Sequence, residues 1–221
     1  MVRPEFAYVA ENLLLRGGYR KTHFQADQTT LQSVSQMGEV YNKPIEALLI
    51  SNYKTFVPYI VWDKELESLP ETFYFREFIL QSLIRQHLSI SKNLQIFLDS
   101  AGLNDFQAED FEVLGEKALS EGYVDILIKD RMPVGYTRKI ILEIKTGSAK
   151  SKDIEQLENY IKEIGEECIA GVLIAQKFSR NLKQECEKRG IKPFIYTFDQ
   201  IERSRKYTLE DLKQKLQLLK I

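Results

Sequence analysis

The sequence has little cysteine, no long apolar run and almost no net charge. Its 221 residues include only two cysteines, Cys168 and Cys186, too few for a disulfide framework or a four-cysteine iron–sulfur site. No apolar run approaches the ~20 residues that a membrane helix needs. The N-terminal apolar stretch is broken by Glu11 and Asn12, unlike a signal peptide. These absences predict a cytoplasmic protein with no membrane segment and no iron–sulfur cluster.

Several motifs of common enzyme classes are also missing from the chain. It has no Gly-rich phosphate loop, no H-E-x-x-H pattern and no recognisable Ser–His or Cys–His arrangement. An enzyme of another class, such as a small-molecule phosphohydrolase, therefore has no motif in its favour. With 43% hydrophobic and 29% charged residues, the composition is that of an ordinary globular protein with a substantial core.

The charges are distributed unevenly along the chain. Residues 1–128 carry 11 Lys/Arg and 18 Asp/Glu, a net charge of −7, whereas residues 129–221 carry 20 and 14, a net charge of +6. This asymmetry indicates that the second part meets an anion, although a solvated basic surface has the same composition.

Apolar periodicity divides the chain into a small, mainly helical N-terminal unit at 1–70 and a larger domain at 71–221. The N-terminal unit is predicted to hold two helices separated near Pro44 and to recognise a substrate or partner. From Glu71 the predicted order is helix, three strands, helix, strand, helix, strand and a closing helix over 208–219. This order predicts an α/β fold in which helices flank a mixed central β-sheet.

The stretch "ILEIKTG" places an acid and a base two residues apart on a predicted strand. Glu143 and Lys145 share one face of that strand, because side chains alternate. If the preceding strand pairs with it, Asp125 can lie ~5 Å from Glu143. Two carboxylates that close need a cation or a proton between them, and Mg²⁺ favours carboxylate and phosphate oxygens. An adjacent lysine can orient a bound water or stabilise charge on a phosphate.

The pattern "VD", then "EIK", then "QLENY" resembles the PD-(D/E)xK nuclease superfamily. Gln156 and Tyr160 match the Q-x-x-x-Y motif of its RecB-like branch. The run from "VDILIKD" to "AGVLIA" also looks like the C-terminal nuclease domain of NucS-like endonucleases. The resemblance covers about residues 71–200 and implies a restriction-endonuclease-like core, in which a helix, three strands, a helix and a strand follow one another.

The resemblance further implies a role for each matching residue. Asp125, Glu143 and the carbonyl of Ile144 would bind Mg²⁺ or Mn²⁺, and Lys145 would be the catalytic lysine. Gln156 and Tyr160 would position the DNA backbone or the attacking water. The implied function is metal-dependent hydrolysis of DNA by an endonuclease. NucS-like enzymes act as dimers, so the resemblance also implies a homodimer.

The sequence departs from the superfamily pattern at two points. Val124 replaces the proline of the signature. The further metal ligand expected on the first helix is open: Glu77 is favoured, since it would break an apolar helix face, and His87 competes with it. Glu112 and Glu116 lie nearby on the preceding strand.

Basic residues are expected to contact phosphate near the turns around this site. The predicted contacts are Lys150, Lys152, Lys177 and Arg180. An alternative function is a catalytically inactive nuclease fold that serves as a DNA-binding or assembly module. The presence of Asp125, Glu143 and Lys145 together argues against it, because a decayed site usually loses one of them.

Overall fold

The computed structural model describes residues 57–119, 122–132 and 135–221, with no side chains described at 116–119. The two helices predicted around Pro44 fall at 1–56, outside the described residues. The predicted division at residue 70 stays a prediction. A short strand before residue 70 pairs with a short strand after residue 70, so strand pairing crosses this division.

The described residues form eight strands and five α-helices. The strands are β1 Tyr59–Val61, β2 Thr72–Tyr74, β3 Phe111–Leu119, β4 Gly122–Asp130, β5 Lys139–Ser148, β6 Cys168–Lys177, β7 Ile191–Phe198 and β8 Leu216–Lys220. The α-helices are α1 Glu77–Leu88, α2 Ser91–Ser100, α3 Ser151–Ile164, α4 Arg180–Lys188 and α5 Leu209–Lys215. Single 3₁₀ turns occupy Lys64–Leu66, Ala108–Asp110 and Gly165–Glu167.

Six strands form one mixed sheet in the order β3-β4-β5-β6-β7-β8. The first three pair antiparallel as a meander, β5, β6 and β7 pair parallel, and β8 returns antiparallel to β7. The parallel neighbours are connected through α3 and α4, as parallel strands require a crossover. The predicted α/β class with a mixed, helix-flanked sheet is confirmed.

The sheet is buried on both faces. One face packs against α1 and α2, with Ile140, Leu142 and Ile144 of β5 in that core. The other face packs against α3 and α4, with Ile141 of β5 and Leu173 of β6 in the second core. Burial on both faces explains why β5 and β6 read as nearly continuous apolar runs.

Two helix predictions are wrong at their ends. The helix predicted from Glu71 begins at Glu77, because Thr72–Tyr74 forms strand β2 beside β1. β-Branched and aromatic residues such as these suit a strand. The closing helix ends at Lys215, and Leu216–Lys220 adds an edge strand to β7. Pairing with the sheet overrides a helical periodicity there that is only a few residues long.

An aromatic cluster attaches the segment before α1 to the sheet. The Trp62 ring stacks on Phe75 at a centroid distance of 4.7 Å and meets Phe198 and Tyr207 edge-on at 5.7 Å. Ile60 of β1 exchanges backbone hydrogen bonds with Tyr207. The start of the described chain is thereby packed onto the C-terminal part of the domain.

Within the described part of the chain, no helix is both long and apolar enough to cross a membrane.

Gly171 of β6 is a point where α3 approaches the sheet closely. A Cβ atom there would lie 2.5 Å from Ile161 Cδ1 and 3.5 Å from Leu157 Cγ. We expect Gly171→Ala to lower the free energy of unfolding by about 1–3 kcal/mol through overpacking. Chemical denaturation measures this change. Gly147→Ala is the matched control, because nothing lies within 4 Å of its added Cβ. Equal stability of the two variants would contradict the close contact.

Candidate active site

The site lies where β4 and β5 stop pairing. The ladder between them ends at the pair Ile126 and Leu142, and Asp125 and Glu143 are the next residues beyond it. The Ile144 backbone N–H donates to Asp125 Oδ2 at 2.7 Å. Beyond the end of the backbone ladder, the Asp125 carboxylate thus accepts the hydrogen bond of the Ile144 N–H. This bond joins the two strands at the position of the acidic residues.

Glu143 and Lys145 form an ion pair at the end of β5. Lys145 Nζ lies 2.7 Å from Glu143 Oε1 and 3.8 Å from Glu77 Oε1 on α1. The Glu143 side chain is 1% exposed and that of Lys145 is 22% exposed. An exposed ion-paired sheet face, the ordinary alternative for such a sequence, does not describe this carboxylate.

One oxygen of Glu143 has no hydrogen-bond partner among the described residues. Oε2 is buried, and nothing in the described part of the chain donates to it. A buried carboxylate oxygen left without a partner carries a large desolvation cost. Glu143 is therefore held in a state that an additional positive charge or donor would stabilise.

Burial and proximity disfavour ionisation of the two acids together. Burial raises the pKa of Glu143 to about 7, and the charge of Asp125 adds to this effect. Burial also raises the pKa of Asp125 to about 6, against the opposing hydrogen bond from Ile144. Such paired shifts are typical of functional sites, although structural ion pairs can also cause them.

Lys145 remains a cation in this arrangement. Burial lowers its pKa, but the hydrogen bond and charge of Glu143, together with the charges of Glu77 and Asp125, outweigh it and raise the pKa overall. Its ammonium group can therefore stabilise negative charge. It is poorly suited to taking up a proton.

The first turn of α1 places Glu77 at the site. His87 lies ten residues further along the same helix, about 15 Å away by helix geometry. There its ring Nδ1 lies 3.4 Å from Asn93 Nδ2, and burial lowers its pKa. The positions favour Glu77 as the candidate ligand from the first helix.

The other two acidic candidates, Glu112 and Glu116, belong to strand β3. Glu112 pairs with Lys129 at 3.1 Å, toward the opposite end of the β3–β4 hairpin from Asp125. The side chain of Glu116 lies outside the described residues.

Gln156 and Tyr160 of the Q-x-x-x-Y motif contact each other. Gln156 Nε2 donates to the Tyr160 hydroxyl at 2.9 Å, one helical turn along α3. The Tyr160 side chain is buried, and its hydroxyl would lie 2.7 Å from a Cβ at Gly122. The motif therefore packs α3 against the start of β4, three residues before Asp125. Its role toward DNA or water stays a prediction.

Two residues that contact the site were not predicted from the sequence. Gln81 on α1 donates from Nε2 to Asp125 Oδ1 at 2.7 Å. Tyr196 on β7 donates its hydroxyl to the Thr146 carbonyl at 2.6 Å, next to Lys145. The i, i+4 spacing of Glu77 and Gln81 could have indicated the first. No local pattern indicates the second, since Tyr196 belongs to an apolar strand.

The predicted basic residues lie at the same end of the sheet. Lys150 and Lys152 follow β5, Lys177 is the last residue of β6 and Arg180 begins α4. The strands are parallel, and the Ala149 N–H donates to the Lys177 carbonyl at 3.0 Å. All four side chains are exposed. Their contact with phosphate stays a prediction.

Comparison with known proteins gives a family for the larger part of this domain. Residues 106–214 match the family model of the endonuclease NucS C-terminal domain. This segment contains every predicted site residue except the two candidates on α1, Glu77 and His87. The match confirms the resemblance to NucS-like members of the PD-(D/E)xK superfamily.

Similar solved structures include two endonucleases. A structure of EndoMS with double-stranded DNA is 28% identical, with a TM-score of 0.31, over 38% of this chain and 35% of that one. A repair endonuclease from Pyrococcus abyssi is 23% identical, with a TM-score of 0.33, over 46% and 43%. The chain thus spans less than half of the length of either structure. No curated protein matches it.

Replacing the buried carboxylate should stabilise the metal-free protein. A pKa raised from 4.5 to about 7 means that the folded state holds the proton more tightly, so stability falls as the pH rises through this window. We expect Glu143→Gln to raise the free energy of unfolding at pH 8 by about 1–2 kcal/mol. The gain over the wild type should shrink toward pH 4.5. Denaturation in the presence of a chelator measures both effects.

Glu158→Gln on α3 is the control for this change. Hydrogen bonds from Lys162 and Arg189 lower the pKa of Glu158, so the same substitution should leave stability unchanged or slightly lower. A loss of stability in Glu143→Gln would show instead that its ion pair with Lys145 outweighs the cost of burial.

Proposed function

We propose, from the premise that residues 106–214 belong to the endonuclease NucS C-terminal domain family, that this chain is a divalent-metal-dependent DNA endonuclease of the cytoplasm. The observation that carries the proposal is the buried, half-unpartnered carboxylate of Glu143 beside Asp125 and Lys145. An apolar pair of similar volume often stabilises a fold at least as much as a buried ion pair of this kind does. It is suited to a cationic cofactor and an anionic substrate.

The side chains present fit Mg²⁺ or Mn²⁺. Asp125 and Glu143 place two carboxylates beside the ammonium group of Lys145, and Glu77 approaches that ammonium group from α1. Within the described residues, no three His, Cys, Asp or Glu side chains cluster closely enough to hold a metal by themselves. That agrees with Mg²⁺, which commonly uses one or two carboxylates and completes its shell with water and substrate phosphate.

Asp125, Glu143 and the Ile144 carbonyl would hold the ion, with Glu77 as the fourth candidate ligand. When bound, such an ion polarises a phosphoryl oxygen and lowers the pKa of a coordinated water. Among the described residues, no group donates a hydrogen bond to Oε2 of Glu143, so this atom is open to the ion.

The protein's own residues supply the remaining functions. Lys145 is a cation at neutral pH, so its ammonium group stabilises the negative charge that develops on the phosphate. Glu143 holds that ammonium in place through their 2.7 Å hydrogen bond. Gln156 and Tyr160 fix α3 beside the start of β4, and through it the position of Asp125 relative to the DNA backbone.

The exposed basic residues around the site would receive the DNA. Lys150 is the N-cap residue before α3, and its backbone N–H donates to Asp153 Oδ2 at 2.8 Å, which orders the turn after β5. Phosphate contacts of this kind position the duplex without reading its sequence. A homodimer, as in other NucS-like enzymes, is part of the proposal and would place two such surfaces on one duplex.

Cleavage of labelled single-stranded, duplex and forked DNA with Mn²⁺ or Mg²⁺ tests the nuclease function. Glu143→Gln and Lys145→Ala should each lower the cleavage rate by at least about 10²-fold, because each removes charge stabilisation at the reacting phosphate. Both variants should keep their fold. Glu158→Gln and Lys162→Ala, which alter an exposed ion pair on α3, are the matched controls and should cut normally.

DNA binding without cutting by the wild type, on every substrate and with either metal, would contradict the proposal. The inactive nuclease fold that acts as a binding module would then be the better description.

The salt dependence of DNA binding tests the basic surface. Lys152→Ala and Lys177→Ala should each weaken binding to all sequences alike and reduce the slope of log K against log[salt] by about 0.9 per lost phosphate contact. Fluorescence anisotropy at several salt concentrations measures the slope. Lys188→Ala, at the far end of α4 from Arg180, should leave it unchanged. Equal slopes in all variants would place the DNA on another surface.

A further inference from the structure

Both carboxylate oxygens of Asp125 are held by donors from different elements. Gln81 Nε2 on α1 donates to Oδ1 at 2.7 Å, and the Ile144 N–H on β5 donates to Oδ2 at 2.7 Å. Two donors approaching from two elements fix the plane of the carboxylate. Each carboxylate oxygen can accept more than one bond, so both oxygens keep capacity for a further ligand.

The chemistry of Gln81 suits this position. An amide donor is neutral, so it orients Asp125 without cancelling the negative charge that would attract a cation. A lysine or arginine there would occupy the same oxygen and also repel the cation. Lys145 directs its hydrogen bond to Glu143, which leaves the orientation of Asp125 to Gln81 and the backbone.

The helix position of Gln81 ties it to Glu77. The two residues are four apart on α1, so their side chains lie on one face, one turn from each other. Glu77 approaches Lys145, and Gln81 contacts Asp125. The first two turns of α1 thus reach both sides of the carboxylate pair, and both residues lie outside the segment that matches the NucS family.

We propose that Gln81 is a positioning residue that sets the orientation of the Asp125 carboxylate and thereby the affinity of the site for a divalent cation. The inference rests on the proposed function, because it concerns the same metal site. Through this hydrogen bond, Gln81 acts on the ligand Asp125 and does not itself contact the cation.

Binding of Mn²⁺ to the full-length, metal-free and DNA-free protein tests the proposal. Gln81→Met keeps the length and approximate volume of the side chain and removes the donor. We expect its dissociation constant for Mn²⁺, measured by calorimetry, to rise about 10–100-fold, as for other residues that orient metal ligands. The Mn²⁺ concentration for half-maximal cleavage should rise in parallel, whereas the rate at saturating Mn²⁺ should change much less.

Gln86→Met is the matched control. Gln86 lies on the same helix and donates to Ser82 Oγ at 3.2 Å, without contact to the carboxylates. It should bind Mn²⁺ like the wild type. If Gln81→Met does not fold, Gln81→Ala serves in its place, since alanine is favourable in a helix.

Three outcomes would overturn the inference. Unchanged Mn²⁺ affinity in a folded Gln81 variant would show that Asp125 does not need this bond, and an equal loss in Gln86→Met would show a general effect on α1. No binding of Mn²⁺ by the folded wild type would remove the metal site itself and the proposed function with it. Mn²⁺ binding without DNA cleavage would overturn the proposed function alone, and the comparison of variants would still decide the role of Gln81.

Discussion

The burial of the Glu143 carboxylate beside Asp125 is the constraint around which the domain is arranged. An acid that is 1% exposed must be compensated, and each surrounding element contributes to that. β5 supplies Lys145, the end of the β4–β5 ladder supplies the Ile144 N–H to Asp125, and α1 supplies Gln81. These contacts leave one oxygen of Glu143 without a compensating donor. That oxygen is the most informative atom of the site.

The two-sided burial of the sheet makes this arrangement possible. Because α1 and α2 cover one face and α3 and α4 the other, the Glu143 carboxylate is withdrawn from water although it lies close to the end where β4 and β5 separate. Electrostatic interactions are strong in such surroundings. The opening at the strand ends places charged groups next to solvent and near the exposed lysines at the ends of β5 and β6.

The sequence predicted those parts of the fold and site that depend on local pattern. The alternation of Glu143 and Lys145, the cross-strand position of Asp125 and the i, i+4 pair Gln156 and Tyr160 are all short-range features. The spacing of Glu77 and Gln81 could place Gln81 on the helix face of Glu77, but its partner Asp125 lies 44 residues away in the chain. No local pattern indicates Tyr196, whose partner Thr146 lies 50 residues away. The same limit explains β8, whose strand form depends on pairing with β7.

Helix α1 has a consequence for how this site could be inherited. The segment that matches the NucS family begins at residue 106, yet α1 ends at Leu88, supplies Glu77 and Gln81, and covers the face formed by Ile126, Ile128 and Ile140. The segment that matches the family model is therefore shorter than the unit that folds and assembles the site. A recombination event that carried only the shorter unit into another protein would deliver the acidic strand ends with one face of their sheet uncovered. Only a host that offered its own amphipathic helix, with polar residues in the first turns, could make such a graft functional.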